Sequence, residues 1–333
     1  MGYSAVFKEC MREYEKTRDK SAALLNIRKR EIYGEIPRIE EIDGELSQTG
    51  LALTKLILTS GNSKADYVKE LGKKNAALVK EKAKLLNGAG FKRTYLDGIY
   101  ECKLCKDTGF ADGKRCSCFK QKLIDKHYGL SNLHGRLKSE NFDYFDIRYY
   151  SEEKDPKTGI SPRANIERIY QVCMDFVTNF DEKYTNLLFY GDTGLGKTFL
   201  CNCIAKDLLD AGKTVLYVTA PKLFKFFDDY RFNREETDAP SEYLEMVHEA
   251  DLLIIDDLGA EFSTVIGASE LFNIINARIL DKKHTVISTN LKPGTDFEDT
   301  YSQRIVSRFV GNYVMLKFIG KDIRLSKKYS SRK

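Results

Sequence analysis

The segment Gly191–Thr198 reads GDTGLGKT and fits the pattern G-x-x-x-x-G-K-[ST], which holds nucleotide phosphates where it connects a strand to a helix. That context is present, because the apolar run NLLFY precedes it and the helical stretch FLCNCIAKDLLDAG follows it. Glycines let backbone N–H groups turn around phosphate oxygens, and the helix N-terminus adds positive potential. Lys197 can then reach the β- and γ-phosphates, and the Thr198 hydroxyl can bind Mg²⁺. The predicted ATP-binding residues are Gly191, Asp192, Thr193, Gly194, Leu195, Gly196, Lys197, Thr198 and Phe199.

A second apolar run, DLLIIDDLG, ends in two consecutive carboxylates, Asp256 and Asp257. An acid at the carboxyl end of a strand, across the sheet crevice from the phosphate loop, can hold the magnesium ion that accompanies ATP. We assign this role to Asp256. Asp257 is then placed to orient or deprotonate the water that attacks the γ-phosphate.

The C-terminal half of the chain alternates short apolar runs with helical stretches. The runs are NLLFYG, TVLYVTA, DLLIIDD, HTVISTN and YVMLKF. Such alternation is typical of a parallel sheet flanked by helices, so the sequence predicts an α/β core with five parallel strands. The fourth run ends in Asn290, whose neutral amide can position a water near the γ-phosphate; a simple strand-end cap is the alternative.

Taken together, GDTGLGKT, LLIIDDLG, STN and SQRIVSRF resemble the motifs of AAA+ P-loop ATPases, above all the bacterial replicative helicase loaders of the DnaC/DnaI type and the related IstB-like transposition helpers. The resemblance implies ATP hydrolysis, with Arg308, or Arg304 four residues earlier, donated as a finger to the γ-phosphate of a neighbouring copy. It also implies that Arg324 acts as a second sensor. The family commonly has glutamate where this chain has Asp257, so we expect slow hydrolysis stimulated by DNA or a partner.

The N-terminal region is rich in Lys, Glu, Ala and Leu, and Leu71, Leu78 and Leu85 lie seven residues apart. This spacing indicates a helical hairpin or small bundle, whose apolar stripes either pack on each other or bind a partner. We predict an α-helical region at 1–95, a zinc module at 96–130, a linker at 131–164 and an ATPase domain at 165–333. Few residues follow the last predicted strand, so little or no C-terminal lid is expected.

Four of the eight cysteines cluster as two close pairs, Cys102-x2-Cys105 and Cys116-x-Cys118. Paired thiolates at this spacing can hold one metal, and four of them complete a tetrahedral zinc shell. An iron–sulfur cluster is the main alternative. In the resembled DnaI-like loaders, a cysteine-rich zinc site also precedes the ATPase domain, and that N-terminal domain contacts the hexameric helicase.

The resembled loaders also bind single-stranded DNA with the segment that follows the second strand of the sheet. Here that segment reads APKLFKFFDDYRFNREE. It interleaves cations, which can neutralise phosphates, with aromatic rings, which can stack on bases or pack into the core. The residues concerned are Lys222, Lys225, Arg231 and Arg234 among Phe226, Phe227, Tyr230 and Phe232.

Bulk composition sets few further limits. The net charge is +5, from 54 basic and 49 acidic residues, so the overall charge alone does not indicate a nucleic-acid-binding protein. The chain start lacks an apolar signal core, and no run of about 18 apolar residues occurs, so we expect a cytoplasmic protein with no membrane partner. The leading hypothesis is an ATP-dependent loader of the replicative helicase. The alternatives are an IstB-like transposition helper and a nucleotide-gated adaptor with little hydrolysis.

Overall fold

The computed structural model describes residues 3–59, 65–128, 131–156, 159–232, 239–261, 265–301 and 303–324. The chain divides into two compact units, Met11–Asp112 and a second that combines Met1–Cys10 with Gly113–Lys333. The domain boundaries predicted from the sequence remain a prediction. Among the described helices, none combines the length and the apolar character needed to cross a bilayer.

The N-terminal region is helical, as the sequence predicts. It contains α1 (Tyr3–Glu35), α2 (Pro37–Thr59) and α3 (Ala65–Gly88). Pro37 is the first residue of α2, where its fixed φ suits the helix and its missing N–H costs nothing. Ile32, Ile39, Leu86 and Leu96 form a small buried core, so packing between these residues orders the unit. 

Short elements connect this region to the sheet domain. Strands β1 (Phe110–Ala111) and β2 (Lys114–Arg115) form a two-stranded sheet, and α4 (Ser117–Tyr128) and α5 (Ser131–Leu137) follow it. Two 3₁₀ turns come next, Phe142–Tyr144 and Ile147–Tyr149. Each turn begins at an Asx cap, because the side chains of Asn141 and Asp146 accept hydrogen bonds from the backbone N–H two residues later.

The sheet domain alternates strands and helices. Its elements are α6 (Pro162–Thr178), β3 (Leu187–Tyr190), α7 (Lys197–Asp210), β4 (Val215–Thr219), α8 (Ala220–Phe232), α9 (Ala239–Glu249), β5 (Leu252–Leu258), α10 (Val265–Leu280), β6 (His284–Thr289), α11 (Thr295–Thr300), α12 (Gln303–Asn312) and β7 (Val314–Lys317). The five strands are all parallel, in the order β4-β5-β6-β3-β7. This confirms the predicted five-stranded parallel sheet.

Burial on both faces explains why these strands read as continuous apolar runs. In β5, for example, Leu252, Leu253, Ile254 and Ile255 are all fully buried. Because parallel strands present their carboxyl ends at one edge, the loops after β3, β5 and β6 meet there. That edge is where the predicted nucleotide-binding residues come together.

Helix α4 covers the start of the outer strand β4 through one glutamine. The Gln121 side-chain amide accepts a hydrogen bond from the Val215 N–H at 2.8 Å and donates one to the Val215 carbonyl at 3.1 Å. It therefore takes the place of a neighbouring strand residue and satisfies both backbone groups at this point of the sheet edge.

Candidate nucleotide-binding site and cysteine cluster

A cavity of about 850 Å³ opens at the carboxyl edge of the sheet. The residues that line it include most of those predicted to bind ATP. They are Thr193, Gly194, Leu195, Gly196, Lys197, Thr198, Phe199, Asp256, Asp257, Asn290 and Arg324. The structure thus brings together, in one place, residues from four separate segments of the sequence.

Lys197 is the centre of this site. Its Nζ donates hydrogen bonds to the carbonyl oxygens of Gly191 and Asp192, both at 2.8 Å, and to Asn290 Oδ1 at 2.7 Å. Burial lowers the pKa of Lys197, while the charges of Asp257, Asp256 and Asp192 oppose that shift. The ammonium group therefore lies on the phosphate loop and also contacts the predicted sensor at the end of β6.

Thr198 and Asp256 bring two oxygen atoms together beside the phosphate loop, where they could both bind a magnesium ion. The Thr198 hydroxyl donates to Asp256 Oδ1 at 3.1 Å, although the two residues lie on different elements, α7 and β5. Mg²⁺ binds through one or two protein oxygens together with substrate phosphates and water. A hydroxyl and a carboxylate side by side beside the phosphate loop fit that donor set.

Asp257 lines the same cavity in a strained backbone conformation, with φ at +57°. Burial raises the pKa of its carboxyl group, and the neighbouring Asp256 charge adds to that rise. The charges of Lys197 and Arg324 act in the opposite direction. Arg324 lines the same cavity, and its role as a second sensor remains a prediction.

Two glycines of the phosphate loop are required by their surroundings. Gly194 has φ of +74°, and an added Cβ would lie 2.1 Å from the Asp322 carboxyl carbon. Gly191 has φ of +142°, and its Cβ would lie 2.5 Å from the Phe318 carbonyl oxygen. The backbone after β7 therefore packs directly on the phosphate loop at Gly191, where any larger side chain would displace it. At Gly194 the Asp322 side chain can rotate away, so the positive φ is what favours glycine there.

Residues before α6 form another wall of the cavity, which the sequence motifs do not predict. The Tyr150 hydroxyl donates to the Leu195 carbonyl at 2.9 Å, which fixes this segment to the phosphate loop. Phe145 lies 6.2 Å, centroid to centroid, from Phe199. Arg136, Glu140, Tyr144 and Tyr149 also line this part of the cavity. One sequence signal could have indicated that the predicted linker at 131–164 is ordered here. Asn141 is a residue type that favours turns, because its side chain can accept a hydrogen bond from the backbone N–H two residues later.

Arg304 and Arg308 do not line this cavity. Both lie on α12, where they line a separate depression with Phe272, Gln303 and Ser307. Arg308 Nε donates to Asn276 Oδ1 at 3.0 Å, and its guanidinium carbon lies 5.7 Å from the centre of the Phe272 ring. Because neither arginine lines the nucleotide cavity of its own chain, the finger role remains a prediction that requires a second copy.

Helix α8 carries the segment predicted to contact DNA. Lys222 and Lys225 are exposed on the helix surface, whereas Phe227 is 1% exposed and belongs to the core. Phe226 is half-buried and packs against the same core. The backbone of Arg234 lies outside the described residues, as do the side chains of Tyr230, Arg231 and Phe232. The described rings of this segment thus pack inward, and the lysines remain as the phosphate-binding candidates.

The four clustered cysteines converge as their spacing predicts. The Sγ atoms of Cys102, Cys105, Cys116 and Cys118 all lie within 4.8 Å of one another. Four thiolates at Zn–S distances of 2.3 Å on a tetrahedron are about 3.8 Å apart, so the group fits the ion. Buried Asp107 shapes the first pair, because its carboxylate accepts hydrogen bonds from the backbone N–H groups of Glu101 at 3.0 Å and Cys102 at 2.8 Å.

Comparison with known proteins identifies relatives of the sheet domain. The family described as the bacterial DnaA ATPase domain matches residues 162–315. The chromosomal replication initiator DnaA of Lachnoclostridium phytofermentans is 30% identical over 176 residues, 52% of this chain and 37% of that protein. The Campylobacter fetus DnaA is 33% identical over 177 residues, 52% of this chain and 39% of that protein. The chain therefore matches well under half the length of these relatives.

Solved structures with a similar arrangement include a DnaC helicase loader, at 22% identity and a TM-score of 0.43, covering 55% of this chain and 99% of that one. Domain III of Thermotoga maritima DnaA has 23% identity and a TM-score of 0.45, covering 58% of this chain and 72% of that one. The family match and the phosphate loop, paired acids and parallel sheet agree with one another. Residues 162–315 therefore have the fold of an AAA+ P-loop core and are similar to the ATPase domain of bacterial DnaA.

Proposed function

We propose that this chain is an ATP-dependent loader of the replicative DNA helicase. The N-terminal region binds the helicase, and the AAA+ domain binds ATP and single-stranded DNA and associates with further copies of itself. Hydrolysis of ATP then releases the loader. The observation that carries the proposal is the cavity in which Lys197, Asp256 and Asn290 meet, within a domain similar to that of a replication initiator.

The region outside the AAA+ domain favours a loader. This chain adds a helical region and a four-cysteine cluster, the combination that the resembled DnaI-like loaders use to contact the helicase. The matched initiators are named for chromosomal replication, which supports a role in the same process.

Each cavity residue has a distinct task in the proposed hydrolysis. Lys197 exchanges its carbonyl contacts for the β- and γ-phosphate oxygens, while Thr198 and Asp256 would hold the magnesium ion. When bound, that ion neutralises charge on the phosphates. Asn290 and Asp257 orient the attacking water, and Asp257 can take up its proton. The water oxygen bonds to the γ-phosphorus as the bond from the γ-phosphorus to the bridging oxygen breaks, which gives ADP and inorganic phosphate.

The DNA-binding part of the proposal predicts a specific salt dependence. Replacing Lys222 and Lys225 by alanine should weaken binding of a fluorescent oligonucleotide in the presence of ATP. It should also reduce the slope of log K against log salt by about 1.4, because each phosphate contact on a single strand contributes about 0.7. The matched control replaces the exposed Lys183 and Lys282 and should leave the slope unchanged. An unchanged slope in the α8 variant, or tighter binding to duplex than to single strands, would contradict this assignment.

The partner is tested by affinity capture on the hexameric helicase from the same host, with ATP and with ADP. We expect the full chain to bind the helicase in ATP and to bind it more weakly in ADP. Recovery of a transposase with no helicase would instead favour a transposition helper. No association with helicase under either nucleotide would refute the loader proposal while leaving the ATPase activity to be judged separately.

The cysteine cluster is proposed to hold one structural zinc ion. Four thiolates leave no open coordination position, so such a metal orders the segment and does no chemistry. Metal binding of this kind is coupled to folding, with apparent free energies of about 10 to 16 kcal/mol in zinc-finger peptides.

This assignment predicts about one zinc per chain by elemental analysis of the purified protein. Cys105→Ser should lower the zinc content to near zero and open the segment around residue 110 to limited proteolysis. Cys173→Ala, which alters a buried thiol outside the cluster, should leave the zinc content unchanged. Iron with visible absorbance would identify an iron–sulfur cluster instead and overturn the zinc assignment.

A further inference from the structure

Strand β5 contains a bulge at its two acids. Ile255 pairs with Ile287 and Leu258 pairs with Thr289, so Asp256 and Asp257 lie opposite the single residue Ser288. In a regular strand, consecutive side chains point to opposite faces of the sheet. The bulge, with Asp257 at φ of +57°, is what allows both carboxylates to line the nucleotide cavity.

Ser288 holds this bulge from the neighbouring strand. Its Oγ accepts a hydrogen bond from the Asp257 N–H at 2.9 Å and donates its own hydrogen to Asp256 Oδ1. The side chain is fully buried, and it does not line the cavity. A bulge leaves its extra residue outside the regular ladder, and a buried N–H without a partner is costly. One hydroxyl therefore satisfies the backbone of one acid and orients the carboxylate of the other.

Tyr217 fixes the same carboxylate from the other side. Its hydroxyl donates to Asp256 Oδ2 at 2.8 Å from strand β4, while Ser288 and Thr198 donate to Oδ1. The two neighbouring strands of the sheet thus hold the two oxygens of Asp256. The carboxylate has little freedom to rotate, and the direction in which it faces the cavity is set by the fold.

We propose that Ser288 is a positioning residue for ATP hydrolysis, with Tyr217 as its counterpart on β4. Ser288 is buried and does not line the cavity; it maintains the backbone geometry that gives Asp256 and Asp257 their different places there. The proposal rests on the ATP hydrolysis proposed above. Misplacing a reacting group by about 1 Å can reduce a rate about 100-fold, so loss of this hydroxyl should act on turnover.

The test compares Ser288→Ala with Thr285→Val, a buried position on the same strand whose hydroxyl accepts from Arg278 Nε at 3.1 Å and does not line the cavity. Ser288→Ala should lower kcat about 10- to 100-fold, while the Kd for ATP changes less than about threefold. Hydrogen exchange of the Asp257 amide should accelerate in the same variant without nucleotide. Thr285→Val should retain both kcat and the slow exchange.

Three outcomes would each overturn the inference. They are a wild-type kcat in Ser288→Ala, unchanged hydrogen exchange of the Asp257 amide in that variant, and an equal loss of kcat in Thr285→Val. Failure of the wild-type protein itself to hydrolyse ATP is a separate result, which removes the proposed ATPase activity. In that case the exchange measurement on nucleotide-free protein still decides whether Ser288 holds the bulge.

Discussion

Replacing Lys197 by alanine is expected to reduce ATP turnover at least about 100-fold, which is the scale on which loss of one pre-positioned charge-stabilising donor acts. In the proposed hydrolysis, this lysine supplies positive charge to the transferred phosphoryl group. In the structure, its Nζ is held by two loop carbonyls and by Asn290, so the ammonium is positioned before nucleotide binds. Release of phosphate at saturating Mg·ATP measures the loss.

The matched control is Lys213→Ala. Lys213 precedes β4 at the opposite end of the sheet from the cavity and pairs with Asp181 at 2.6 Å. Its replacement should leave turnover unchanged. Calorimetry with Mg·ATP should also show weaker binding to the Lys197 variant. Equal phosphate release from the wild type and the Lys197 variant would contradict the prediction and favour a nucleotide-gated adaptor.

The second large effect concerns stability, and it centres on Arg278 of α10. This side chain is 1% exposed, and its donors reach the carbonyls of Val247 at 2.7 Å, Ala250 at 3.0 Å and His284 at 2.6 Å. Burial lowers its pKa to about 10, so the group stays charged at neutral pH. The carbonyls at the end of α9 carry the partial negative charge that balances the buried cation.

Arg278→Met should reduce the free energy of unfolding by about 3 to 5 kcal/mol, because it leaves several buried carbonyls without donors. Arg278→Lys should recover little of the loss, because a lysine ammonium cannot reproduce the planar set of donors with which the guanidinium reaches these acceptors. Urea denaturation measures both, and Arg168→Met on the exposed face of α6 is the control, expected within about 0.5 kcal/mol of wild type. A loss below about 1 kcal/mol for Arg278→Met would contradict this prediction. It would mean that the free-energy cost of burying the guanidinium cancels the stabilisation from its hydrogen bonds.

The sequence was most informative where one motif implied its own surroundings. The glycine spacing of the phosphate loop predicts a strand before it and a helix after it, and both are present as β3 and α7. Apolar runs of strand length predicted the five parallel strands in the same way. The paired cysteine spacing predicted that four thiols would converge, because short loops limit how far two ligands of one pair can separate.

The remaining features depend on tertiary contacts that local patterns do not encode. Strict alternation would put Asp256 and Asp257 on opposite faces, and only the pairing of β5 with β6 shows the bulge. Ser288 resembles any small strand residue until its partners are known. Arg278 has the pattern of a surface cation at the end of a helix, yet it is buried because α9 ends against it. Phe227 has the ring that base stacking requires, yet it is buried in the core because α8 packs that side against the sheet domain.

The glutamine that covers the outer strand has a consequence for how copies of this protein could join. Gln121 already forms hydrogen bonds with both backbone groups of Val215. A strand from another molecule could therefore pair with this residue only if helix α4 first moved away. The start of β4 is thus protected against pairing with a strand of another molecule. Copies of this domain that meet at this point of the sheet would therefore have to associate through side chains.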